Sequence, residues 1–117
     1  MEGLAIHHVA LRTRDLPRLV SFYTAILQLP VARETLGYSV WLRAGGAAVM
    51  IERSPPDEPV IPAGSMELLA FAVSVEGRAA VLARLAEAGV PTEGETAHTT
   101  YFRDPDGRRV GVSTYPL

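Results

Sequence analysis

What most narrows the fold of this 117-residue chain is that its second half repeats the first in kind. "HHVALRTRDLPRLVSFYTAILQLP" aligns with "LAFAVSVEGRAAVLARLAEAGVP", which sets His8 opposite Ala70 at a shift of 62 residues and Pro30 near Pro91 at a shift of 61. Each half reads as a strand, a helix and three further strands. The pattern is an internal duplication of a βαβββ unit, and neither copy can bury its apolar face without a sheet under its helix.

In the first copy, Ala5 to Thr13 is dense in apolar residues and reads as a strand. Asp15 is a good N-cap and Pro17 falls in the first turn, where a missing N–H does no harm. Leu16, Leu19, Val20, Tyr23, Ile26 and Leu27 then recur at helical spacing, and Pro30 marks the end. "VARET", "YSVWLRA" and "AAVMIER" read as short strands, the last two joined by a Gly45-Gly46 hairpin. The segment from Ser54 to Ser65 holds four of the chain's nine prolines and has no periodicity, so it reads as a connecting loop. It joins modules of about residues 4–53 and 66–116 within a single domain. In the second copy "MELLAFAVSV" is a strand, a helical stripe lies within Gly77 to Ala88 with Gly89 at C′, and "VPTEGE", "TTYFR" and "RRVGVSTY" follow as strands.

Composition limits the chemistry. Hydrophobic residues make up 48% and charged ones 21%, values of an ordinary globular protein. A net charge of −2 supplies no basic field, so nucleic acid is not an expected partner. With no cysteine, any metal would need His, Asp or Glu ligands. No apolar run approaches the roughly 20 residues that span a bilayer, and the N-terminus lacks the pattern of a signal peptide, so the expectation is a cytoplasmic protein with no membrane partner.

Two segments carry a family likeness. "HHVALRTRDLPRLVSFYTAILQLP" resembles the opening signature of the vicinal oxygen chelate superfamily, which includes glyoxalase I, fosfomycin and bleomycin resistance proteins and extradiol dioxygenases. "TTYFRDPDGRRVGVS" resembles its "FxDPDGxxxEl" ending. The resemblance implies an α+β fold of two tandem βαβββ modules whose curved mixed sheets surround a cleft, commonly in a homodimer. In active members it implies a divalent metal held by up to four side chains, one on each of four strands, acting as a Lewis acid on two neighbouring substrate oxygens.

Carried over residue by residue, the first ligand position falls on His8. The second falls at the end of the first module's last strand, where Glu52 shares a face with Ala48 and Met50. The third is Ala70 and the fourth Gly111, neither of which can coordinate an ion. His98 could reach the cleft from a loop. The expected cofactor is therefore none, with a divalent metal as the alternative.

Strand alternation and the expected hairpin register direct Tyr38, Val40 and Leu42 to the cleft face of the first module, and Thr99, Tyr101 and Arg103 to that of the second. Trp41 is expected to point into the helix layer. The ligand-binding set is then His8, Arg12, Tyr38, Met50, Glu52, Ala70, Tyr101 and Gly111, with Arg12 able to pair with Glu52 or to attract an anion. His8 and Glu52 are the catalytic candidates, as a hydrogen-bonded acid–base pair. "DPDG", Asp104 to Gly107, reads as a structural turn. The leading expectation is a small-molecule-binding protein of the bleomycin-resistance kind with a degenerate metal site. The alternative is a lyase, isomerase or dioxygenase with an unusual metal set or a metal-free His8/Glu52 pair.

Overall fold

The computed structural model describes residues 3–117 and divides into two compact units, Met1–Pro59 and Val60–Leu117, the boundary falling inside the proline-rich segment. In the first unit β1 (His8–Thr13) leads into α1 (Leu16–Ala25), followed by β2 (Val31–Thr35), β3 (Ser39–Ala44) and β4 (Ala47–Arg53). The strands form one sheet in the order β1-β4-β3-β2, with β1 parallel to β4 and the other pairs antiparallel. A parallel β1–β4 pair demands a crossover, and α1 with β2 and β3 provides it.

Asp15 caps α1 by accepting the Arg18 N–H at 3.2 Å, and Pro17 sits in the first turn as its fixed φ requires. Leu16, Leu19, Phe22 and Tyr23 are buried from α1, and so is its C-cap residue Ile26. They lie over Leu11, Val40, Leu42, Val49 and Ile51 of the sheet, all buried as well. Each such side chain contributes about 1.5–3 kcal/mol of transfer free energy. One face of the sheet is thereby spent on the core, and the other, lined by His8, Ala10, Met50 and Trp41, is left open.

The second unit repeats the plan with β5 (Leu68–Ala72), α2 (Val75–Glu87), β6 (Thr92–Glu95), β7 (Thr99–Arg103) and β8 (Arg109–Ser113) in the order β5-β8-β7-β6. The helix starts earlier than its apolar stripe, because Ser74 accepts the Gly77 N–H at 3.0 Å and sets the N-cap there. Val81 and Leu85 bury against a sheet face carrying Phe102, Val110 and Val112. Arg78 reaches from α2 to the Thr100 hydroxyl at 3.0 Å and the Ala97 carbonyl at 2.9 Å, tying the β6–β7 turn to the helix. The "DPDG" turn is structural as expected: Asp104 is 4% exposed and accepts the Asp106 and Arg108 N–H groups at 2.9 and 3.1 Å. Among the described residues, no helix is long and apolar enough to cross a membrane.

The duplication exposes one asymmetry. Gly89 follows α2 in the left-handed region at φ +71°, and the residue 61 positions earlier, Gln28, follows α1 at φ 54°. Glycine adopts that conformation without a Cβ clash, and glutamine does not. Gln28→Gly is expected to raise stability by about 0.5–1 kcal/mol, read as a higher urea midpoint. An unchanged or lower midpoint would contradict this.

Candidate functional site

The open face of the first sheet is organised in rows set by strand pairing. His8 stands opposite Ala48, which stands opposite Arg43; Ala10, Met50 and Trp41 form the next row; Arg12, Glu52 and Ser39 form the third. The Gly45-Gly46 hairpin leaves Ala44 paired with Ala47, and this fixes every pair above it.

Two expectations are corrected by this register. Trp41 lies on the open face with Met50, while Val40 and Leu42 point into the helix layer at 7% and 0% exposure. A two-residue loop makes Leu42 the partner of Val49, and directly paired residues share a face, so an assignment displaced by one residue inverts the strand. Tyr38 leaves the set for the same reason. It sits in the turn before β3, 47% exposed, beside a separate 680 Å³ cavity lined also by Arg14, Arg53 and Pro55.

The His8/Glu52 acid–base pair does not form. Glu52 lies four residues beyond the partner of His8, about 13 Å along the strand. Instead the His8 Nδ1 lies 2.9 Å from the His7 Nδ1, so one imidazole donates to the other, and the His8 ring packs 4.8 Å from the Trp41 ring. Glu52 is taken by Arg12, whose Nη1 donates to it at 2.5 Å. The same guanidinium donates through Nε and Nη2 to both oxygens of Glu58, at 3.0 and 2.6 Å. Of the two roles foreseen for Arg12, pairing with Glu52 is the one observed, and it ties the proline-rich segment to the sheet.

The Arg12 hydrogen bonds hold the Glu58 carboxyl below its ordinary value of 4.5. A carboxyl whose folded value is depressed stabilises the fold above the unfolded value and loses that contribution as pH falls through the folded one. Stability should thus decline as pH drops below about 4.5, and less steeply in Glu58→Gln, as measured by urea midpoints across an acid series. Parallel pH profiles for the two proteins would show that this ion pair carries no stability.

On the open face of the second sheet, Ala70 stands opposite Gly111, which stands opposite Tyr101, with Leu68, Arg109 and Arg103 on one side and Ala72, Ser113 and Thr99 on the other. Here the expected faces of Thr99, Tyr101 and Arg103 match the register. Arg109 lies over the Tyr101 ring, its Cζ 4.1 Å from the centroid, a cation–π contact. Glu93 accepts from Arg103 at 2.5 and 2.9 Å and from Arg109 at 3.3 Å. The Arg103 bonds hold the Glu93 carboxyl below its ordinary value. His98 is exposed before β7, its Nδ1 3.4 Å from the Thr114 hydroxyl and its ring against Tyr115.

The divalent ion that the resemblance implies does not fit these residues. Among those described, no three His, Asp or Glu side chains are grouped to hold a cation. Catalytic zinc usually takes three protein ligands. The two modules also match here: Ala48 stands to His8 as Gly111 stands to Ala70.

Trp41, Arg33 and Arg43 were not among the residues expected on the cleft face. With Ala48 and His7 they line a 360 Å³ cavity at the hairpin end of the first sheet. The Gly-Gly dipeptide was the available signal, since a two-residue loop counts Trp41 onto the partner position of Met50.

Comparison with known proteins gives a consistent picture. The family model of the glyoxalase/bleomycin resistance protein/dioxygenase superfamily matches residues 5–112. A lactoylglutathione lyase from Agrobacterium tumefaciens superposes with a TM-score of 0.73 at 20% identity, over 95% of this chain and 93% of the other. The oxidase ChaP-H2 gives 0.80 at 21%, over 99% and 97%. A fosfomycin resistance protein, FosX, from Listeria monocytogenes gives 0.77 at 18%, over 100% and 94%. At these identities the likeness shows a shared fold. A search of curated proteins finds no match.

Proposed function

The chain belongs to the glyoxalase/bleomycin resistance protein/dioxygenase superfamily, and we propose that within it the protein binds a small molecule through direct side-chain contacts rather than through a chelated metal. The observation that carries this reading is the pairing of His8 with Ala48 in the first module and of Ala70 with Gly111 in the second, which leaves one side chain able to coordinate an ion in the first pair and none in the second. On the first module's open face, Ala48 keeps the surface beside His8 uncrowded and the next row carries Trp41 and Met50; on the second module's face, Ala70 lies beside Gly111 and the Tyr101 ring, with Gly111 already covered by Leu68 and Thr99. Polar points come from His8 and from the ends of the rows. An apolar lining with a few polar groups is what small-molecule recognition requires.

Glu52 and Arg12 hold the proline-rich segment in this reading and do no chemistry, since each is already engaged by the other. By analogy with the family, the working form is a homodimer. The relatives named above include a lyase, an oxidase and a resistance protein, and one fold serves them all, so the site decides rather than the scaffold.

The test is a ligand-observed NMR screen of small aromatic and aliphatic compounds against protein stripped with EDTA. Compounds are expected to bind the stripped protein, with affinities unchanged when Zn²⁺, Mn²⁺ or Ni²⁺ is added. Binding that appears only after metal addition, or turnover of a bound compound that depends on metal, would return the protein to the metal-dependent enzymes.

A further inference from the structure

The cavity at the hairpin end of the first sheet has a composition that none of the ligand positions above explains. Its 360 Å³ volume is bounded by Trp41, Arg33, Arg43, His7, Gly46 and Ala48. Arg33 pairs directly with Trp41 across β2 and β3, and Arg43 lies two residues along β3 on the same face, so both arginines line the cavity with the indole. The His8 ring packs against the indole from the β1 side at 4.8 Å. Gly46 and Ala48 add almost no side-chain bulk.

The charge pattern of this place suits an anion. Arg12, Arg78, Arg103, Arg108 and Arg109 each face a carboxylate. Among the described residues, the guanidinium groups of Arg33 and Arg43 enter no hydrogen bond or ion pair, and no acidic side chain lines the cavity. Two like charges held on one face repel each other, and an anion between them relieves that repulsion. A guanidinium fork matches the two oxygens of a carboxylate, and an indole ring offers a flat apolar surface for stacking. The volume lies at the small end of ligand pockets, enough for one or two fused rings.

We propose that this cavity binds a planar aromatic carboxylate, with Trp41 under the ring and Arg33 and Arg43 on the carboxylate. The assignment rests on the metal-independent reading above and gives it a ligand class. Trp41 is the chain's one tryptophan, so its indole N–H cross-peak reports the site without ambiguity.

The experiment titrates EDTA-treated, ¹⁵N-labelled protein with 2-naphthoate, its neutral analogue 2-naphthylmethanol, acetate and inorganic phosphate. 2-Naphthoate is expected to shift the indole peak saturably. The alcohol should bind about tenfold or more weakly, and the Arg33→Gln/Arg43→Gln variant should lose about tenfold or more in naphthoate affinity, as for a lost charge-assisted hydrogen bond. Both arginines are exposed, so that variant keeps the fold; Trp41→Leu, read through the backbone amide peaks of Arg43 and Ala48, serves as the stacking variant and is expected to abolish the preference for naphthoate over acetate. No shift at Trp41, equal affinity for the alcohol, equal affinity for phosphate, or an unaffected double variant overturns the assignment. Naphthoate binding that needs added metal but still depends on both arginines overturns the metal-independent reading alone.

Discussion

Leu42→Ala is expected to cost about 2–5 kcal/mol, the range for deleting a fully buried leucine whose surroundings relax only in part. Leu42 is 0% exposed and packs under α1 with Leu19, Val49 and Ile51. Its neighbour Trp41 occupies the opposite face of the same strand, half-buried on the open side of the sheet. Lysine substitutions separate the two faces most sharply. Leu42→Lys drives an ammonium into the helix layer and should leave no cooperatively folded first unit, because an unpaired buried charge is far costlier than the packing can offset. Trp41→Lys should fold, since its long stem lies along the sheet while the charge reaches water. Circular dichroism and urea unfolding read both outcomes. Were Trp41→Lys the one that unfolds and Leu42→Lys the one tolerated, the register described here would be inverted.

Asp104→Ala is expected to cost about 3 kcal/mol. The Asp104 side chain is wholly buried, accepts two backbone N–H groups through Oδ1, and lies 3.4 Å from Arg108 Nη1 through Oδ2. Removing the carboxylate strands two amide donors in a turn that already places Gly107 at φ +88°. Asp104→Asn keeps an acceptor for the amides and should lose less, about 1–2 kcal/mol. Equal losses for the two variants would mean that the charge facing Arg108, rather than the turn amides, is what the carboxylate stabilises.

The two kinds of sequence signal differed in how much they carried. Helices and strands were legible because apolar spacing, the Asp15 cap, Pro30 and the Gly45-Gly46 turn each act locally. Faces were harder. On β7 the alternation of Thr100 and Phe102 inward with Thr99, Tyr101 and Arg103 outward agrees with the face that strand alternation and the expected hairpin register assign. On β3 the inward residues Val40 and Leu42 are flanked by Trp41, which is apolar too, so polarity does not choose a side and only the pairing count does. The separation of His8 from Glu52 was invisible for a related reason. Sharing a face is a matter of parity, but contact requires register between β1 and β4, strands 40 residues apart in the Arg12–Glu52 pair. The duplication held that information in latent form, since matching Gly111 to its place opposite Ala70 points to Ala48, not Glu52, beside His8.

Metal content, measured by plasma mass spectrometry on protein purified without chelator, bears most directly on metal-independent binding by this chain. The account predicts far less than one divalent ion per chain, with the same residual amount in His8→Ala. One ion per chain in the native protein, lost in His8→Ala, would contradict it.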